Sequence, residues 1–349
     1  MAATMKAWQF TSVATTLEAA LTLNPAAPAP DSTTLAANEI LVEVISVALN
    51  PVDHKMPEMA LVGKLMYRGG AHTPALDFSG RVVAAGSSVP AATYPPGTLV
   101  FGTLPPSPPP RFGALGQLLV ATPAACVPVP AGVPADDAAT VGVAGLTALQ
   151  SLLVAGAEVR PGSKVLVNGG SGGTGTFAIQ LAKALGAAHV TATCSAANAG
   201  LCRALGADEV LDYRAVDVVG ALKAGGKPAF DLVVDNVGNP ELKLYENAGA
   251  YLKEGGVFVQ VGAPASLGGV KTLVGRAVTP RWLGGGDRAF TFLTMKGKPE
   301  DLTRIGEFMK EGKVKAVIDQ TFEFEDAPKA YEKLKLGRTK GKIVVHVGK

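Results

Sequence analysis

An apolar strand running into a glycine-dense turn and then a helix constrains this chain more than any other feature. Lys164-Val165-Leu166-Val167-Asn168 is followed by Gly169-Gly170-Ser171-Gly172-Gly173-Thr174-Gly175 and then Thr176-Phe177-Ala178-Ile179-Gln180-Leu181-Ala182-Lys183. Gly170, Gly172 and Gly175 fit G-x-G-x-x-G. In that pattern the first glycine permits the tight turn, the second lets backbone approach a pyrophosphate, and the third lets helix pack on strand. The N–H groups and dipole at the helix start favour an anion held there. With a second strand at His189 to Cys194, the segment predicts a dinucleotide site in which Gly170, Ser171, Gly172, Gly173, Thr174 and Gly175 face the phosphates.

About 20 residues past the glycines, an NAD site places Asp or Glu on the ribose 2′-OH. Here the second strand ends Thr193-Cys194-Ser195, with Asn198 after it and no carboxylate among them. A carboxylate would repel a 2′-phosphate, whereas small hydrogen-bonding groups leave room for one. Cys194, Ser195 and Asn198 are therefore expected beside that phosphate, with Tyr213 reaching it from the end of the next strand, and NADPH is the expected cofactor. Ser195 and Asn198 also suit the start of the helix near Ala199, and the two roles are compatible.

The 349 residues suffice for two domains. Hydrophobic residues make up 48% and charged ones 17%, and no apolar run approaches the ~18 residues of a membrane span. A net charge of +3 with scattered Lys and Arg argues against nucleic acid. Cys126, Cys194 and Cys202 make no metal spacing and point to a reducing compartment. Met5 to Phe10 already reads as a strand rather than a signal peptide, so a cytoplasmic location is expected, an organelle reached by an uncleaved signal being the alternative.

Residues 1–131 read as short strands broken by Pro and Gly, such as Ile40 to Val47, Phe78 to Ala85 and Thr98 to Thr103, with a stiff proline loop at 105–110. Residues 132–295 alternate strand and helix, with strands at 164–168, 189–194, 209–212, 230–235, 257–261 and 290–295. That alternation predicts an α/β domain with a doubly wound parallel sheet. Residues 296–349 hold a helix (300–310), a strand (321–323), a helix (327–336) and a strand (342–347). Too short to fold alone, this tail is expected to complete the first domain. Strand 230–235 runs into Asn236-Val237-Gly238 and strand 257–261 into Gly262. Ligands bind beyond the carboxyl ends of parallel strands, so Asn236, Val237, Gly238, Val261 and Gly262 are expected at the nicotinamide half. A loop with Gly284-Gly285-Gly286, Trp282 and two Arg suits a mobile segment near the cleft or a subunit contact. Trp282 is a candidate substrate contact, as is Tyr67.

Four segments, Ala48 to Lys55, Pro74 to Gly80, Val143 to Gln150 and Asn168 to Gly175, together resemble the zinc-lacking quinone oxidoreductase branch of the medium-chain dehydrogenases/reductases. The resemblance implies a Rossmann domain plus a discontinuous GroES-like domain, a homodimer, and a small quinone or enone as substrate. Zinc alcohol dehydrogenases have a Cys where this chain has Asn50, a His where it has Leu76, and a third ligand near Val143. An amide and two aliphatics do not make a zinc site, so no metal is expected; lone His54 and His72 do not change this. Without a metal, quinones and conjugated carbonyls are the acceptors that hydride from a nicotinamide reduces most readily. Asn50 is expected to hold the nicotinamide ribose and substrate edge, or else to be a turn residue before Pro51, and Thr147 to contact the nicotinamide or else to be a helix-interior threonine. Lys55 is either an oxyanion donor or a surface lysine. Arg338, Lys340 and Lys342 are read as phosphate contacts or as a solvated loop. Two rivals stand beside this reading: a dedicated enoyl reductase of a biosynthetic pathway, and a noncatalytic, crystallin-like NADPH-binding protein.

Overall fold

The computed structural model of the chain describes residues 3–262, 275–276 and 287–348. It divides into two compact units, residues 1–146 with 297–312 and 316–349, and residues 147–296 with 313–315. The first boundary falls inside the helix Gly142–Leu152, later than the change of pattern near 132. The reason is that helix Ala135–Ala139 packs on strands of the first unit.

The first unit pairs β1 (Thr4–Gln9) with β2 (Thr22–Pro28) and builds a larger, mainly antiparallel sheet. That sheet contains β3 (Ile40–Leu49), β4 (Asp77–Ala85), β5 (Leu99–Thr103), β6 (Leu118–Ala121) and β7 (Cys126–Pro128), joined by two strands of the tail, β14 (Ile318–Glu323) and β15 (Lys342–His346). Its order is β14-β15-β3-β4-β5-β7, with β6 also on β3. β15 lies antiparallel to β3, with Ile343 opposite Leu49. The tail therefore completes the first sheet, because Ile343, Val344 and Val345 have no core of their own and are fully buried here. Trp8, Phe78, Leu119 and Tyr331 share this core.

The second unit is a six-stranded, wholly parallel sheet of β8 (Lys164–Asn168), β9 (His189–Cys194), β10 (Glu209–Asp212), β11 (Phe230–Asp235), β12 (Leu252–Gln260) and β13 (Ala289–Phe292). The order β10-β9-β8-β11-β12-β13 is the doubly wound order with β8 first. β9 is buried along nearly its whole length, as a strand covered on both faces must be. β12 starts earlier than its apolar run suggests: Lys253-Glu254-Gly255-Gly256 form an irregularity where the register against β11 shifts. Among the described residues no helix is long and apolar enough to cross a membrane.

Candidate active site

The second unit carries the glycine turn at the carboxyl end of β8. Gly169, not Gly170, takes the left-handed conformation that turns the chain, with φ of 78°. Gly170 serves packing instead: a Cβ there would sit 2.9 Å from Ala192 Cβ. A Cβ on Gly175 would meet the Gly169 carbonyl at 2.1 Å, so this glycine is what lets helix Gly173–Ala184 close on the turn. Gly172 differs from both. Nothing lies nearer than 3.7 Å to its added Cβ, and it is the N-cap of that helix. Ser171, Gly173 and Thr174 beside it are only half-buried. This open backbone, at a helix end whose first N–H groups lack intrahelical partners, fits a pyrophosphate.

Three polar side chains missed in the sequence lock the strand ends. Thr193 Oγ1 donates to Asn168 Oδ1 (2.5 Å), and Asn168 Nδ2 donates to Asp235 Oδ1 (2.7 Å). Asp235 also accepts from the N–H groups of Val237 and Gly238, each at 3.0 Å. Polar residues ending adjacent parallel strands were the available signal. Asn236 Nδ2 donates to the Asn168 carbonyl (3.1 Å), leaving its buried Oδ1 without a partner. Gly238 and Gly262 pack so closely that a Cβ on Gly238 would lie 2.1 Å from the Gly262 carbonyl, and Val261 N–H bonds Asp235 O. Val237 is exposed.

Next to the turn, Asn198 Nδ2 donates to Ser171 Oγ (3.1 Å), and its Oδ1 is buried and unpartnered. Ser195 is the N-cap of helix Ala196–Ala204, yet its hydroxyl makes no capping bond. Tyr213 is exposed with the Arg214 guanidinium 5.7 Å over its ring; Arg214 is a cation the sequence reading did not single out. Cys194 requires a correction. Its side chain is buried against Cys202, burial pushes the thiol up, and only its carbonyl, which accepts from Tyr213 N–H, serves this region. Two buried oxygens lacking donors and an open helix start together fit a dinucleotide, with its ribose hydroxyls as donors.

In the first unit, the positions that carry zinc ligands in alcohol dehydrogenases converge on one carboxylate. Asp77, next to the buried apolar Leu76, accepts from Asn50 Nδ2 (2.7 Å) and from Val143 N–H (2.8 Å). The cation among them is Lys342. Its Nζ donates to Leu49 O (3.0 Å) and to Asn50 Oδ1 and lies 3.5 Å from Asp77 Oδ2. Lys342 is 3% exposed, so the reading of it as a phosphate contact is wrong: three acceptors inside the protein occupy its three protons. Arg338 and Lys340 remain exposed. Asn50 is also corrected in part. Its Nδ2 is used by Asp77 and by Ala48 O (3.2 Å), so the amide has no donor left for a substrate, only acceptor capacity at Oδ1. Among the described residues no group of three or more His, Cys, Asp or Glu could hold a metal ion.

Lys55, in the last turn of helix Pro51–Glu58, is exposed. Tyr67 is half-buried and packs on Phe10 and His72, with ring centroids 5.2 and 5.3 Å away. His54 pairs with Glu58 (3.2 Å). Thr147 is buried in helix Gly142–Leu152, at the first residue of the second unit. Trp282 lies outside the described residues.

Residues 205–345 match the family model described as zinc-binding dehydrogenase, a stretch that includes none of positions 50, 76 and 143. The chain is 45% identical, over 99% of its length and 96% of the relative's, to trans-enoyl reductase pgmF of Aspergillus terreus. It is 34% identical to the chloroplast envelope quinone oxidoreductase homolog of Arabidopsis thaliana, covering 88% of this chain and 89% of that one. The solved quinone oxidoreductase of Coxiella burnetii superposes with a TM-score of 0.83 at 29% identity, over 99% of this chain and all of the other. With a parallel sheet that fits a nicotinamide dinucleotide, and with these similarities over nearly its whole length, the chain belongs to the medium-chain dehydrogenase/reductase family of oxidoreductases, in its quinone-oxidoreductase-like branch.

Proposed function

We propose that this protein is an NADPH-dependent, zinc-independent reductase of α,β-unsaturated carbonyl compounds, with quinones as the second acceptor class. The observation that carries the reading is an amide and two aliphatics at Asn50, Leu76 and Val143, none able to ligate zinc, beside an Asp77 carboxylate already engaged by three protein donors. Without a Lewis acid, a simple ketone is a poor acceptor, whereas a conjugated one spreads the incoming charge over an enolate. The 45% identity to a trans-enoyl reductase, against 34% to a quinone oxidoreductase homolog, favours the enoyl or enone class.

Backbone N–H groups from Gly172 to Gly175 would hold the pyrophosphate. Ser195, Asn198, Tyr213 and Arg214 would hold the 2′-phosphate, and Asn236, Gly238, Val261, Gly262 and Thr147 the nicotinamide half. The bound cofactor supplies hydride. Asn50 Oδ1, held by Lys342 Nζ, would be the acceptor for a hydroxyl or amide of the ligand. The exposed ammonium of Lys55 is the donor available to the developing oxyanion. An acceptor panel tests the reading: at least one enone or 2-alkenal should oxidise NADPH, while saturated ketones and aldehydes stay inert. Inertness toward every conjugated acceptor would leave the noncatalytic reading.

Cofactor choice gives a second expectation. NADPH should bind more tightly than NADH, and Ser195→Asp should weaken NADPH by about tenfold or more while sparing NADH, since ~1.4 kcal/mol of repulsion suffices. Fluorescence titration decides it; equal native affinities would contradict the assignment of the 2′-phosphate pocket.

A further inference from the structure

β12 ends on Gln260, whose side-chain amide is clasped by a buried guanidinium. Arg276 Nη1 donates to Gln260 Oε1 (2.6 Å), and Gln260 Nε2 donates in turn to the Gly262 carbonyl (2.9 Å). The rest of the guanidinium is anchored. Nε donates to Glu246 Oε1 (3.0 Å), Nη2 donates to both Glu246 oxygens (2.8 and 3.1 Å), and Cζ lies 5.7 Å from the centroid of the Tyr245 ring. A guanidinium only donates, so it decides which way the Gln260 amide faces, oxygen toward Arg276 and nitrogen toward Gly262. Gln260 is 1% exposed, so bulk water does not compete. The amide also closes over Gly238: a Cβ there would lie 2.9 Å from Gln260 Nε2, and one on Gly262 would lie 2.3 Å from the Asn236 carbonyl. Glu246, Arg276 and Gln260 therefore hold the turns after β11 and β12 against each other.

The order of the sheet decides which half of a dinucleotide meets these turns. With the pyrophosphate at the turn after β8, an adenosine half directed to Ser195 beyond β9 leaves the nicotinamide half to run the opposite way, over the carboxyl ends of β11 and β12. We propose that Arg276 is a positioning residue for the nicotinamide: by fixing the Gln260 amide, it sets the paired Gly238 and Gly262 turns on which that half of the cofactor packs. This rests on the reading of the second unit as an NADPH site. Arg276 acts through Gln260 and needs no contact with the cofactor.

Two variants separate this relay from simple packing. Arg276→Met keeps an unbranched apolar stem beside Tyr245 and removes every donor. Gln260→Glu keeps an acceptor for Arg276 and removes the donor to the Gly262 carbonyl. The full chain and each variant are titrated with NADPH and with 2′-phospho-ADP-ribose, the same dinucleotide without its nicotinamide. Both variants should bind NADPH about tenfold more weakly, while their affinity for 2′-phospho-ADP-ribose stays within about twofold of the wild type. A contact that only stabilises the fold would weaken the two ligands alike. Equal losses for both ligands, or no loss for either, overturn the proposal. Should Arg276→Met fail to fold, Gln260→Glu, which leaves the Arg276–Glu246 pair in place, decides alone. A wild type that binds neither ligand defeats the dinucleotide reading and the proposal with it, whereas a wild type that binds both, with variants that lose both alike, defeats the proposal alone.

Discussion

Lys342→Met is expected to cost about 3–5 kcal/mol of stability, the usual loss when one partner of a buried ion pair is removed. Its ammonium and the Asp77 carboxyl are 3% and 0% exposed, so no solvent replaces the lost contacts. Methionine leaves Asp77 without a cation, and Asn50 Oδ1 and Leu49 O without their donor. The loss should grow with pH. Asp77 is already raised by burial against the pull of Lys342, and rises further once that pull is gone. An acid whose folded pKa exceeds its unfolded value of about 4 binds more protons folded than unfolded. Stability therefore declines as pH climbs through that window. Urea unfolding at two pH values reads this directly. A loss under about 1 kcal/mol, independent of pH, would show that Lys342 is not what holds the cluster.

Gly172→Val should abolish useful NADPH binding, by about 10²-fold or ~3 kcal/mol, while costing no more than about 1 kcal/mol of stability, since valine is a poorer N-cap than glycine. The backbone there, φ −81° and ψ 175°, is one valine adopts readily, and a Cβ meets nothing inside 3.7 Å. The added side chain would occupy the space assigned to the pyrophosphate. Gly175→Ala is the contrasting case: its Cβ would strike the Gly169 carbonyl at 2.1 Å, so fold and binding should suffer together. If Gly172→Val binds NADPH like the wild type, the phosphates lie elsewhere.

These two variants mark how far the sequence could be read. Strand–turn–helix at 164–183 was legible because glycine spacing and apolar period are local, and five of the six parallel strands begin within one residue of where their apolar runs place them. The fate of the tail was legible too, since Ile343-Val344-Val345 needed a sheet to join. Lys342 was misread because Arg338-Thr339-Lys340-Gly341-Lys342 looks like a basic surface loop. Its burial comes only from β15 pairing with a strand almost 300 residues earlier. Cys194 was placed by proximity to the strand end, but its thiol faces Cys202 on the following helix, which spacing alone did not reveal. Gly169 and Gly170 exchanged roles because two adjacent glycines offer the same freedom, and only packing against Ala192 separates them.

The most direct measurement of the central claim is the fate of label from deuterated NADPH with a simple enone. Hydride addition at the electrophilic end of the double bond, followed by protonation of the enolate, predicts deuterium on the β-carbon, a solvent-derived hydrogen on the α-carbon and an intact carbonyl. Deuterium at the carbonyl carbon, with saturated ketones reduced as readily, would contradict a metal-free conjugate reduction and move the chain to the alcohol-dehydrogenase side of its family.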